Sequence, residues 1–257
     1  MFVTTGGRTD EAGMRAAREI AIKLGVDFVP RDKKSIQELQ SSRQEDCLVA
    51  GRNRLELYRI NESQPFFFHP NIGMLRIKRL IKGEDDPFIE ASGITEGSHV
   101  LDCTLGLGAD AMVASFAAGV SGRVDGVEEN PFLAFLVEKG LSEFRSGNEE
   151  IDKAMRKIHI HAENHLDFLK KCGKNEYDVV YFDPMFDENI PESDGIRTLT
   201  YFASFHKITD EIIQEARRVA RQRVVLKDHF RSERFNQFGF KVIVRKTSKF
   251  HYGYIEV

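Results

Sequence analysis

The stretch that most restricts what this chain can fold into is residues 99–119, HVLDCTLGLGADAMVASFAAG. It begins as a short apolar run, Val100-Leu101-Asp102-Cys103, with the length and bulk of a buried strand. It breaks at Thr104-Leu105-Gly106-Leu107-Gly108 and resumes as an alanine-rich helical pattern over residues 109–118, stopped by Gly119. A strand, a tight glycine turn and a helix N-terminus form the ligand cradle of an α/β sheet. The glycines let the backbone approach a ligand, and the helix start offers free N–H groups.

The residues around the cradle extend the pattern. From about residue 95 the chain alternates strand and helix, with strands predicted at 100–103, 123–127, 157–161, 178–182 and 223–227. Two alternating segments, 240–245 and 251–257, then read as an antiparallel pair. This predicts an α/β, Rossmann-like domain over 95–257, its sheet mostly parallel and covered on both faces, with an antiparallel C-terminal hairpin. Residues 1–68 read as a small α/β N-terminal unit. It has a strand at 2–4, a helix over 11–24 capped by Asp10 and ended by Gly25, a strand at 26–30, a short helix at 35–39 and a hairpin across 47–60. Gly6-Gly7-Arg8 is either a phosphate-binding turn or an ordinary βα turn. Residues 65–70, PFFFHP, would seal this unit against the main domain or stack on bases. Residues 69–94 read as a basic connecting segment. There Leu75, Leu80 and Ile81 would be buried while Arg76, Lys78, Arg79 and Lys82 are displayed, as a solvated face or toward RNA phosphates.

Composition narrows the class. Across 257 residues, 41% are apolar, enough for a substantial core, and the net charge of −3 neither requires nor forbids a nucleic-acid partner. The three cysteines, Cys47, Cys103 and Cys172, are widely spaced, which excludes a disulfide scaffold or a zinc ribbon and suits a reduced compartment. No apolar run reaches membrane-spanning length, and the first residues lack a signal-peptide pattern; the expectation is a soluble, cytoplasmic protein. His159, His161 and His165 have no cysteine-rich company, so no metal is expected. A second basic concentration, from Arg217 to Arg234 and including Lys227, would be partly solvated and partly an RNA rim.

Two cofactors fit the cradle. Gly106-Leu107-Gly108-Ala109-Asp110-Ala111 satisfies G-x-G-x-x-A, and Glu128 follows about twenty residues on, as in dinucleotide sites. S-adenosyl-L-methionine is the alternative, with a ribose to hold but no pyrophosphate. Asp102, at the end of its strand, can face an ammonium group but would repel a pyrophosphate. Glu128-Glu129 and Glu163-Asn164, after the next two strands, suit ribose hydroxyls and an adenine amine. The fourth strand ends in Asp183-Pro184-Met185-Phe186. Together these favour the methyl donor.

In DCTLGLGADA, VEENP, HAEN and YFDPMF the chain resembles class I S-adenosylmethionine-dependent methyltransferases, and within them the RsmJ-type family that methylates a guanine N2 amine of small-subunit ribosomal RNA. The resemblance implies cofactor contacts at Ala109, Asp110, Glu128, Glu129, Glu163, Asn164 and Asp183, and the strand end and turn themselves add Asp102, Thr104, Gly106 and Gly108. That family usually carries arginines where this chain has Ala109 and Glu129. The expected catalytic group is Asp183 with Pro184, whose carboxylate and carbonyl would accept the two hydrogens of an exocyclic amine, while Phe186 stacks on the base. The expected RNA contacts are Arg76, Lys78, Arg79 and Lys227. Other readings are methylation of adenine N6 or of a small-molecule amine, or an RNA-binding factor that holds the cofactor without turnover.

Overall fold

A computed structural model describes residues 1–184 and 207–257. The front of the chain folds as β1 (Phe2–Thr5), α1 (Glu11–Leu24), α2 (Ile36–Arg43), β2 (Cys47–Ala50) and β3 (Leu55–Tyr58). Two helices follow, α3 (Asn71–Ile81) and α4 (Pro87–Ser92). The alternating region then gives β4 (His99–Asp102), α5 (Ala109–Ala117), β5 (Arg123–Val127), α6 (Pro131–Glu143), α7 (Glu149–Arg156), β6 (Ile158–His161), α8 (His165–Lys171) and β7 (Tyr177–Phe182). Beyond it lie α9 (Asp210–Val219), β8 (Ala220–His229), α10 (Arg234–Phe238), β9 (Lys241–Ile243) and β10 (Phe250–Glu256).

The large sheet runs β6-β5-β4-β7-β8-β10-β9. Its first five strands are parallel, and β10 is antiparallel to both β8 and β9. The predicted class, a mostly parallel α/β sheet with antiparallel C-terminal strands, is the observed one. Val100, Val179 and Val225 of the sheet share one buried cluster with Met112 and Val113 of α5, while Leu101, Val180 and Leu226 pack on the other face with Ile213 and Val219 of α9. Near-continuous apolar runs in β4, β7 and β8 are what two covered faces require.

The front elements form a separate sheet, β1-β2-β3. Asp10 accepts from Gly13 N at 2.8 Å to start α1, and Gly25, at φ +66°, ends it. Residues 26–30 differ from expectation. Only Phe28 bridges to Val3, and β2 is the parallel ladder partner of β1. Pro30 has no N–H to extend a ladder, and Asp32 and Lys33 then take φ of +44° and +67°, turning the chain away. The aromatic segment lies between the two sheets. Phe66 bridges to Leu57, and Phe68 packs edge-on against Phe144 at 6.2 Å. Phe68 also fills the space where a Cβ on Gly140 would stand, 2.2 Å from its Cγ.

The expected connecting segment is the second difference. Its helices are built into the large domain, α3 against α5 and α4 against β8 and β10, with Ile77 and Phe88 fully buried. The buried face of α3 is Gly73, Arg76, Ile77 and Leu80, whereas Leu75 and Ile81 are 53% and 43% exposed. Gly73 sets this rotation, because a Cβ there would meet the Met112 sulfur at 2.9 Å. Replacing Gly140 by Ala is expected to cost about 1–3 kcal/mol through overpacking on Phe68. The check is a lower urea midpoint at an unchanged slope.

Candidate active site

The strand order fixes where a ligand can sit. From β4 the chain winds outward to β5 and β6, then returns to β7 on the other side of β4. The crevice at the C-terminal ends of β4 and β7 is therefore the switch point of the sheet, and α5 starts directly above it. Register determines which side chains meet there. Asp102 pairs with Tyr181, and Phe182 with Leu226. One and two residues further on, Asp183 falls between Thr104 and Lys227. The Thr104 hydroxyl accepts from Asp183 N at 2.6 Å, and Lys227 Nζ donates to Asp183 Oδ2 at 2.5 Å.

The glycine turn has the form its sequence implies. Gly106 and Gly108 adopt φ of +49° and +73°, where a side chain would be strained, and Gly108 caps α5 without a side-chain hydrogen bond. Ala109 opens the helix. Asp102 is buried and accepts from Thr104 N at 3.0 Å. Burial, with repulsion from Asp110 and Asp183, pushes its carboxyl up to about 8 against the pull of that N–H. Glu128, just past β5, accepts from Asn130 N at 3.0 Å and from the Gly106 N–H, and burial pushes it up to about 7. Glu129 accepts from Asn164 Nδ2 at 3.1 Å. Asn164 Oδ1 caps α8 through Leu166 N, and Glu163 is ion-paired with Lys171.

Three sequence expectations need correction. Asp110, expected as a cofactor contact, has both carboxylate oxygens engaged within the protein. Its Oδ1 lies 2.5 Å from Arg76 and its Oδ2 accepts from the Tyr181 hydroxyl at 3.1 Å, with Lys227 Nζ at 3.5 Å. Arg76 does not face RNA: its side chain is 15% exposed and grips Asp86 with two bonds of 2.8 Å. Lys227 is likewise turned inward between Asp110 and Asp183. Both cations were read as displayed because sequence shows charge but not the face that carries it. The spacing Gly73–Arg76–Ile77–Leu80 was the available signal for Arg76. For Lys227 the signal was its position one step beyond the apolar run of a central strand.

Lys78 and Arg79 are exposed on α3. In the second basic concentration, Arg218 donates to the Leu169 and Cys172 carbonyls, Arg221 pairs with Asp178 and Arg234 with Asp228. These arginines are largely structural. Sequence reasoning missed Tyr181 and Asp86, which hold Asp110 and Arg76. Pro184 is buried behind Asp183, while Phe186 and the polar stretch 187–197 lie outside the described residues. Among the described residues no group of three or more His, Cys, Asp or Glu is placed to hold a metal.

This crevice suits a ligand with an ammonium group and ribose hydroxyls. Asp102, Glu128 and Asp183 offer acceptors at three strand ends, and Asp183 Oδ1 is buried with no hydrogen-bond partner among the described residues. A pyrophosphate would meet carboxylates, and among the described residues the cations beside them, Arg76 and Lys227, are already paired. The family described as "Putative SAM-dependent methyltransferase" matches residues 32–251. The chain belongs to the SAM-dependent methyltransferase family. S-adenosylmethionine is its cofactor. The chain is 44% identical to uncharacterized protein YpiP of Bacillus subtilis, over 99% of each. It is 28% identical to ribosomal RNA small subunit methyltransferase J of Nitrosococcus oceani, over 83% of each. The fold matches the crystal structure of a SAM-dependent methyltransferase from Neisseria gonorrhoeae with a TM-score of 0.63 at 21% identity, covering 100% of this chain and 96% of that one.

Because burial pushes Glu128 up to about 7 and Asp102 up to about 8, cofactor affinity is expected to rise from pH 6 to pH 8 as the two carboxylates form. Glu128→Gln should remove its share of that rise, leave the share of Asp102, and weaken binding at pH 8 by about 1.5–3 kcal/mol. Titration calorimetry of S-adenosylmethionine across this range is the check.

Proposed function

We propose that this methyltransferase acts on an exocyclic amine of an RNA base, with guanine N2 in small-subunit ribosomal RNA as the preferred target. The observation that carries this reading is the Asp183 carboxylate. Lys227 holds one oxygen, and the other is buried without a partner among the described residues. An unmet acceptor of this kind costs about 1–3 kcal/mol, which a donor N–H from a substrate relieves. The RNA class is supported by the 28% identity to proteins named ribosomal RNA small subunit methyltransferase J. The guanine N2 target follows the RsmJ-type resemblance of the HAEN and YFDPMF segments.

S-adenosylmethionine, when bound, supplies a methyl group on a positively charged sulfur. The turn 104–108, the start of α5, Asp102 and Glu128 are the residues that would hold it, with Glu129 and Asn164 further along the crevice. The protein's remaining task is to present a nitrogen lone pair in line with that methyl, and such positioning can supply roughly 7–11 kcal/mol of barrier lowering. Asp183 Oδ1 and the carbonyl of Pro184 accept the two amine hydrogens. This turns the lone pair out of conjugation with the base. The Asp183 carboxylate would also take the one proton that the amine nitrogen sheds on becoming methylated. Phe186 keeps its proposed stacking role. With Arg76 and Lys227 turned inward, Lys78 and Arg79 are the proposed phosphate contacts from that original set. Among the described residues no helix is long and apolar enough to cross a membrane, and a cytoplasmic location remains part of this proposal.

Asp183→Ala should abolish methyl transfer while calorimetry still detects cofactor binding; retained activity would overturn the amine-orienting role. A Lys78→Ala/Arg79→Ala double variant should weaken RNA binding uniformly and lower the salt slope by about 0.7 per lost single-strand phosphate contact. Mass mapping of ribosomal RNA nucleosides from a deletion strain identifies the target. An unchanged small-subunit methylation pattern would reject it.

A further inference from the structure

Five charged side chains alternate in sign through the crevice. Asp86, at the start of α4, holds Arg76 of α3 with two bonds of 2.8 Å. Arg76 reaches Asp110 of α5 at 2.5 Å, and Asp110 lies 3.5 Å from Lys227 of β8. Lys227 in turn donates to Asp183 Oδ2 at 2.5 Å. We propose that Lys227 is a positioning residue for methyl transfer: anchored from behind by Asp110 and Arg76, it fixes the Asp183 carboxylate so that Oδ1 alone faces the acceptor amine and stays ionised. This rests on the reading of Asp183 as the amine acceptor.

The geometry supports the assignment in three ways. First, Asp183 is held at two points. Thr104 accepts from its backbone N–H, which fixes where the residue stands, and Lys227 holds Oδ2, so Oδ1 is the oxygen left over. Second, Lys227 is committed. An ammonium shared by two carboxylates and 22% exposed is poorly placed to reach a phosphate or serve as a general acid. Third, burial and two carboxylates oppose the ionisation of Asp183: Asp110 of α5 and Asp228 of β8 repel its charge. Asp102 of β4, Tyr181 of β7 and Tyr252 of β10 also face it, each with its own ionisation pushed up chiefly by burial. Among the described residues Lys227 is the cation in direct contact with Asp183. Burial and Asp110 push Asp183 up to about 6 even with Lys227 present. Although burial also opposes the charge of Lys227, the two carboxylates hold its pKa well above the ordinary lysine value. Without that ammonium Asp183 would be largely protonated near neutrality. It would then offer an O–H where the amine needs an acceptor.

The test uses the full chain, with S-adenosylmethionine and 30S subunits from a deletion strain as substrates. It compares wild type with Lys227→Met and Lys227→Arg and follows the Asp183 carboxyl by carbon-13 NMR without cofactor. Lys227→Met should raise the Asp183 titration midpoint by about one to three pH units, since an adjacent opposite charge lowers a carboxyl by that much. The acid limb of the kcat profile should move with it, and kcat at pH 7 should fall about a hundredfold, partly recovering at higher pH. Cofactor affinity should be unchanged. Lys227→Arg should keep the wild-type pH profile. A Lys227→Met protein whose Asp183 titration and kcat profile match wild type overturns the proposal. If that variant does not fold, Lys227→Gln, which keeps a donor without the charge, decides: a raised Asp183 midpoint with a shifted kcat profile supports the proposal, and a wild-type midpoint and profile overturn it. Activity surviving in Asp183→Ala would instead refute the amine-acceptor reading, while the NMR titration would still report the hold of Lys227 on Asp183.

Discussion

One buried carboxylate, Asp110, ties four parts of the chain together. It stands on the first turn of α5, takes Arg76 from α3 on one oxygen, and takes Tyr181 from β7 and Lys227 from β8 on the other. Burying that charge is costly unless every partner is in place, and removing one leaves the rest uncompensated. Together, burial working against it and the Lys227 and Arg76 cations working for it leave Asp110 well below the usual carboxylate range. The glycine turn, the helix that leads into the domain and the strand that carries Lys227 therefore cannot settle independently. Asp86 extends the constraint to α4, whose Phe88 stacks on Tyr181 at 4.5 Å. A segment whose charge suggests a tether is in this way built into the wall of the site.

Much of this could be read in the sequence, and the reason is local. Strand, turn and helix in residues 99–119 follow from apolar run length, from glycines that must take positive φ, and from alanine-rich periodicity. The structure places Asp102, Glu128 and Asp183 at successive strand ends because the βα rhythm is regular. What could not be read depends on rotation and register. Apolarity alone puts Leu75 and Ile81 on the inner face of α3, whereas the residues in contact are Gly73 and Ile77, because the close approach to Met112 sets the rotation. Thr104 was read only as a cofactor residue, but its hydroxyl accepts from Asp183 N, a contact that exists because Asp102 pairs with Tyr181 and no nearby residue pair announces it. The role of Lys227 has the same origin.

Size of cavity is a poor guide to chemistry in this molecule. A groove of about 1230 Å3 opens on the outer side of α6, lined by Arg8, Asp10, Lys23, Arg54, Phe68 and Glu138 among others. Its charges are mixed, and several neutralise one another, as Lys23 and Glu138 do at 3.0 Å. The crevice at the strand ends is marked instead by pushed-up carboxyls and an acceptor atom with no partner among the described residues, the signs that separate a reactive site from a crease between the front unit and α6.

The hydrogen bond from Asp183 N to the Thr104 hydroxyl has a thermodynamic corollary. It joins the loop that would cradle the methyl donor to the loop that would receive the acceptor, through a single pair of atoms. Any free-energy preference that one ligand has for a particular setting of its loop is then felt by the other. Linkage makes that influence mutual, so whatever the donor does for the acceptor's affinity the acceptor must do for the donor's. Exhaustion of the donor to its demethylated product alters the first loop's occupant, and the same pair of atoms carries that news to the second.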